Sequence, residues 1–205
     1  MIEEKSVSIT VLLPAGRLPL NVMEAAHKLA DKYDFSIYLS TLQNLRLAGV
    51  PEGAVNEVKN RLAELGADFK APDKFPIPRV CVGQGHCNLG LIDTEAVSHQ
   101  ILDKFSDRQK TKAKLKIALS ACTVCCSGTK ISDIGIVATQ NGYDLYVGGK
   151  GGSSPKIGQR IAKNADEARM LDIIESLIEF HDKKTAKKQR MVKLLDDPEF
   201  PFARI

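Results

Sequence analysis

The stretch Lys114-Leu-Lys-Ile-Ala-Leu-Ser-Ala-Cys122-Thr-Val-Cys-Cys126 decides how this chain is read. Lys116 to Ser120 has the composition of a strand, and it runs straight into a Cys-x3-Cys pair. A turn at the end of a strand presents both sulfurs on one side. Upstream, Cys81-Val-Gly-Gln-Gly-His-Cys87 forms a second pair, and its two glycines let the backbone fold around a bound group. The one remaining cysteine, Cys125, touches the later pair. Two short loops, each with two thiols, are expected to gather four sulfurs around one centre.

Spacing alone leaves three readings open. A cubane iron–sulfur cluster needs four thiolates on a compact tetrahedron, which two such loops supply. Structural zinc is the second reading, although its cysteines usually stand about two to four residues apart and the first pair is wider. Unrelated buried thiols are the third. Cys125 reads as a buried thiol or a spare sulfur beside the centre.

The 205 residues suit one or two small domains with a buried core. Hydrophobic content of 43% and charged content of 26% are those of an ordinary globular protein, and no run is long enough to span a bilayer. Met1-Ile-Glu-Glu-Lys5 has no apolar signal core, so a cytoplasmic protein with reduced thiols is expected. The net charge of +4 comes largely from Lys104–Lys116 and Lys183–Arg190. Aromatics are 5% with no Trp, so the readers that usually accompany nucleic-acid charge are missing, and no nucleic-acid partner is expected.

Outward from the cysteines, periodicity gives the elements. Residues 6–13 alternate as a strand, Leu18–Lys32 is helical, and Phe35–Ser40 and Asn44–Leu47 are further strands. Pro51 opens a helix that Gly66 closes. This β-α-β-β-α order is a split βαβ, ferredoxin-like unit over residues 1–72. Three prolines in 71–78 mark a boundary, and a mixed α/β cluster-binding half is expected over 76–205; the fold class is α+β. In that half Asp93 or Thr94 caps a helix to Phe105. Ile131–Ala138 and Tyr143–Gly148 form a hairpin about Gln140-Asn-Gly142, Ala165–Phe180 is an amphipathic helix, and Thr185–Leu195 is a basic helix.

The cysteine segments, followed by Asp133-Ile-Gly-Ile-Val137, Tyr143-Asp-Leu-Tyr-Val-Gly-Gly149 and Lys150-Gly-Gly152, resemble the siroheme and [4Fe-4S] half of the sulfite and nitrite reductase family. Pro14-Ala-Gly-Arg-Leu18 resembles the first turn of that family's ferredoxin-like half. Ser40-Thr-Leu-Gln-Asn-Leu-Arg-Leu-Ala-Gly49 resembles its T-x-R-Q segment. The likeness covers nearly the whole chain and is most specific in the cysteine signature.

The resemblance implies an oxidoreductase that reduces sulfite or nitrite with electrons from a low-potential carrier such as ferredoxin. It implies cluster ligation by Cys81, Cys87, Cys122 and Cys126, with Cys126 also bridging to siroheme. It implies oxyanion contacts at Lys114, Lys116 and Arg79, and cofactor contacts at Arg17, Gln43, Arg46 and Gly149. Leu42, Leu12 and Tyr38 stand where the family carries basic residues, and Thr123-Val124 replaces its Pro-Asn. These changes keep alive an alternative: an iron–sulfur electron-transfer or tetrapyrrole-handling protein without oxyanion reduction. Larger members carry the two halves twice; one copy stands here, so a homodimer is expected to restore the missing half, with another subunit as the alternative.

Other motifs carry less. Gly148-Gly-Lys-Gly-Gly152 lacks the Lys-Ser/Thr ending of a phosphate loop. His86 reads as a solvated loop residue, and His27, His99 and His181 as surface or boundary positions on helices. Lys183–Arg190 reads as a solvated face, with docking of an acidic electron donor as a further reading.

Overall fold

The computed structural model describes residues 5–205, so the reading of Met1 to Glu4 falls outside the described residues. The chain divides into two compact units, Met1–Ala71 and Pro72–Ile205.

The N-terminal unit is β1 (Ser6–Leu12), α1 (Leu20–Tyr33), β2 (Ser36–Leu39), β3 (Leu45–Pro51), α2 (Val55–Ala63) and β4 (Asp68–Phe69). The sheet order β2-β3-β1-β4, with every pairing antiparallel, completes the ferredoxin-like βαββαβ pattern. The sequence reading lacked β4, which has only two residues and too little periodicity to show. Ile9, Val11, Leu45 and Leu47 alternate onto the face covered by Val22, Ala26, Leu29, Val58 and Leu62 of the helices. Period-two alternation therefore sends Thr10, Leu12 and Arg46 to the opposite face, where Tyr38 is aligned with Arg46.

The C-terminal unit holds β5 (Arg79–Val80), α3 (Thr94–Phe105), β6 (Ile117–Ser120), β7 (Ile134–Thr139), β8 (Gly142–Val147), β9 (Gln159–Ala165) and α4 (Glu167–Lys184). They form a five-stranded sheet, β5-β6-β7-β8-β9. β5, β6 and β7 run parallel; β8 and β9 return antiparallel. Residues 117–120 and 134–138 are buried at every position, as strands covered on both faces must be. α3 packs on β5 and β6, and α4 on β8 and β9. Asp93 caps α3 by accepting from the amides of Glu95 and Ala96.

Three expectations for this half change. The hairpin begins at Ile134, because Thr129–Ile131 form a 3-10 turn. β9 was missed: in Gln159–Ala165 only Ile161 and Ala165 are buried, so little apolar signal exists. The basic helix over Thr185–Leu195 does not form. α4 instead continues to Lys184, and the chain then leaves helical geometry until a 3-10 turn at Met191–Lys193. Tertiary bonds outcompete helix there: Ala113 bridges Lys188, and both Arg190 and Met191 bind Asp133.

Candidate cluster and anion site

Both cysteine loops leave the same end of neighbouring parallel strands. Cys81 directly follows β5, and Cys122 lies two residues past β6. Backbone bonds stitch the loops together. The Cys81 amide donates to Leu119 O (3.3 Å), and the Leu91 amide donates to Ala121 O (3.0 Å). The Ala121 amide donates to Cys81 Sγ at 3.2 Å, a bond that supports negative charge on the sulfur. Buried Thr94 at the start of α3 donates to Cys81 O at 2.6 Å. Gly83 allows this approach: its φ is +73°, and a methyl there would stand 2.6 Å from Thr94 Oγ1. The second loop is held from below by the buried pair Ser120 and Ser127, whose hydroxyls are 2.6 Å apart.

All five cysteines are free thiols. Cys87 and Cys126 are exposed, and Cys81 and Cys122 half-buried. Cys125 is half-buried rather than buried. It sits at φ +59° with its thiol donating to Thr123 O at 3.2 Å. Among the described residues, no three Cys, His, Asp or Glu side chains form a ligand set for a single ion.

A basic patch gathers at the opposite end of β6, where Lys114 and Lys116 are exposed. Parallel pairing of β6 with β7 sets Lys116 beside Asp133. Asp133 is completely buried; its carboxylate accepts from Arg190 Nε at 2.8 Å to each oxygen, from the Lys116 amide (3.0 Å) and from the Met191 amide (2.9 Å). Burial pushes its carboxyl up from the usual range, while Arg190 and these two amides pull it back. Lys116 is held below the ordinary lysine range, first by desolvation and then by the charge of Arg190, against the opposing pull of Asp133; Arg79 and Lys114 lower it further. Lys114 takes a left-handed backbone (φ +79°), a sparsely populated conformation for a side-chain-bearing residue.

Residues 121–133 cross back from one end of the sheet to the other, and Arg79 ties the two ends. It lies two residues before Cys81, and its Nη2 would be 2.5 Å from a methyl placed on Gly128, two residues past Cys126. Arg79 Nε is buried without a hydrogen-bond partner, and burial lowers the guanidinium's pKa.

The remaining expected residues are spread over both units. Gly149 contributes its carbonyl to Arg190 Nη2 (2.9 Å). In the N-terminal unit, Gly16 and Gln43 pack together and Leu13 N donates to Asn44 Oδ1, so the first turn and the 40–44 segment meet. Arg46 Nη1 donates to Thr10 Oγ1, Arg17 is exposed, and Leu42 is 42% exposed. His86, His27 and His99 are exposed. His181 is not a boundary residue: it is fully buried, with Nε2 2.9 Å from Gln189 O.

Lys183–Arg190 is not simply a solvated face. Lys183 and Lys184 pair with Glu199 and Asp197, and Arg190 with Asp133; in the other basic run Lys104 and Arg108 pair with acids of α4. Sequence reasoning gave Thr94 only as a possible helix cap and Arg190 only as part of a basic run, and missed their contacts with Cys81 and Asp133. Fifty-seven residues separate Arg190 from its partner, and no local pattern links them. Asp133 left a trace, as one carboxylate in an apolar run.

A ferredoxin-like unit is thus followed by a sheet that carries paired cysteine loops at one end and a basic patch at the other. Residues 76–198 match the nitrite and sulphite reductase 4Fe-4S domain, and residues 2–65 the nitrite/sulfite reductase ferredoxin-like half domain. The chain belongs to the nitrite and sulphite reductase family, and its cofactors are a [4Fe-4S] cluster and siroheme. It is 27% identical to the assimilatory-type sulfite reductase of Nitratidesulfovibrio vulgaris, over 95% of this chain and 88% of that protein. It is 23% identical to the nitrite reductase (NADH) large subunit of Escherichia coli, over 96% of this chain but 23% of that protein. The solved structure of Mycobacterium tuberculosis NirA shares the fold at a TM-score of 0.73 and 16% identity, covering 94% of this chain and 38% of that one. The residues present fit the cofactors: free thiols on two joined loops suit the cluster, and the orphaned Arg79 Nε beside the basic patch suits an anionic group.

Proposed function

We propose that this chain reduces sulfite or nitrite, with electrons from a low-potential carrier such as ferredoxin. Sulfite is the first choice, because the relative it covers nearly end to end is an assimilatory-type sulfite reductase. The carrying observation is the basic patch, in which Arg79, Lys114, Lys116 and Arg190 outnumber one buried carboxylate. Excess positive charge on side chains that reach solvent is what attracts a small oxyanion.

When bound, the cluster and siroheme supply stored electrons and an open iron site. Cys81, Cys87, Cys122 and Cys126 are the proposed cluster ligands, with Cys126 as the bridging thiolate. The Ala121 amide holds the Cys81 sulfur, and Thr94 holds its carbonyl. Arg79 and Lys114 attract and orient the oxyanion. Lys116, with its proton loosened by desolvation and neighbouring cations, delivers that proton as an S–O or N–O bond breaks. For the N-terminal unit we propose Arg17, Gln43 and Arg46 as groups that meet siroheme's polar periphery, and for the C-terminal unit Gly149. We further propose assembly as a homodimer and, from the five free thiols, a reducing compartment such as the cytoplasm.

A second reading, an iron–sulfur or tetrapyrrole-handling protein without reductase activity, is favoured by Leu12 and Leu42, whose side chains bind no carboxylate. The test is anaerobic purification, a visible spectrum, and turnover of sulfite and nitrite with a reduced dye. The reductase reading expects siroheme's Soret and red bands together with oxyanion-dependent dye oxidation. A cluster spectrum with neither overturns it.

A further inference from the structure

The segment after α4 plays no part in the cluster, yet it reaches the basic patch. Arg190 places Nε 2.8 Å from both Asp133 oxygens and Nη2 2.9 Å from Gly149 O. The Met191 amide adds a third bond to Asp133, and Met191 itself is fully buried. The Gly148 amide donates to Asp133 O (2.9 Å) and the Lys116 amide to Asp133 Oδ2. The entrance of β6 and the C-terminal segment therefore meet on the buried Asp133 carboxylate, while the turn after β8 is tied to the Asp133 backbone carbonyl and to Arg190. The carboxylate's positive partner comes from 57 residues away.

We propose that Arg190 is a positioning residue for the anion site: clasped on Asp133, it fixes the backbone of Lys116. The proposal rests on the patch being the oxyanion site. Geometry carries it, because Lys116 is held through its own amide on the atom that Arg190 neutralises. Without the guanidinium, Asp133 is a buried charge relieved only by amides, so it takes up a proton or shifts toward water, and either change disturbs the bond that holds the Lys116 amide. Linkage then makes the relation reciprocal: an anion that binds better to the clasped patch must stabilise the clasp by the same factor. Residues 189–195 thereby become a reporter of patch occupancy.

The test uses the cofactor-loaded full-length protein with two readouts. Hydrogen exchange of amides 189–195 is followed with and without inorganic sulfite, and with sulfate as an unreactive probe. The wild type is expected to show slowing of about fivefold or more at Met191–Leu194. Steady-state kinetics with a reduced dye are measured for Arg190→Gln, Arg190→Lys and the charge-balanced double variant Asp133→Asn/Arg190→Gln. Arg190→Gln should raise KM for the oxyanion on the order of tenfold, with a smaller change in kcat. Arg190→Lys should recover part of the loss, since it restores charge but not the paired donation. The double variant removes the buried unpaired charge, so it should fold like wild type yet keep the high KM. An unchanged KM in the double variant, or exchange at 189–195 indifferent to both anions, overturns the proposal. Anion-dependent protection without any turnover supports the clasp and overturns the reductase reading instead.

Discussion

Gly128→Ala tests whether Arg79 is held where the chemistry needs it. Gly128 lies at φ +70°, two residues beyond Cys126, and an ideal Cβ there would stand 2.5 Å from Arg79 Nη2 and 3.4 Å from Arg79 Cζ. Ordinary contact requires about 3.5 Å, so the guanidinium must retreat by roughly 1 Å. A displacement of that size in a substrate-holding group lowers kcat/KM by up to about 100-fold. The left-handed backbone adds about 1–2 kcal/mol of strain for Ala, or a fall in Tm of roughly 2–8 °C for a chain of this size. The assay is anaerobic dye-linked reduction of sulfite and nitrite, beside thermal melting of the same samples. The control is Arg79→Ala, which removes the group that the methyl strikes. In that background Gly128→Ala should still lower Tm but reduce kcat/KM no further. Wild-type kcat/KM in the single variant, or an equal additional loss in the Arg79→Ala background, refutes the assignment of Arg79.

Serine at Cys81, Cys87, Cys122 or Cys126 should abolish stoichiometric iron and acid-labile sulfide, whereas Cys125→Ser should retain both. Cys126→Ser is also expected to lose the siroheme coupling seen in the visible spectrum. Thr94→Val leaves Cys81 O without its 2.6 Å donor; it should destabilise the C-terminal unit by about 1 kcal/mol in denaturant melts and speed cluster loss in air. The pH dependence of Lys116 has two signs. Its folded pKa lies below 10.5, chiefly through desolvation, so the unfolded chain holds more protons in the window between the folded value and 10.5. Stability therefore gains from this group as pH rises through that window. Oxyanion binding needs the ammonium, so KM should climb with pH earlier than for an ordinary lysine. Lys116→Arg should carry that climb to higher pH, and a KM flat across the alkaline range in wild type would remove Lys116 from the site.

The sequence by itself determined the elements whose signals are local. Thiol pairs at the ends of β-forming runs, the alternation of residues 6–12, the three prolines near residue 75 and the asparagine-glycine turn after β7 each act within a few residues. Local sterics and period-two or period-3.6 burial are enough to express them. Short polar strands escaped: β4 has two residues, and β9 buries only Ile161 and Ala165. Only the tertiary structure decided that Thr185–Leu195 would forgo a helix, that His181 would be buried, and that Arg190 would join Lys116 and Arg79 around Asp133. The placement of Arg190 depends on a carboxylate buried at the entrance of β7. Once desolvated it must find donors wherever the fold brings them, and a partner 57 residues distant leaves no periodic mark in the chain.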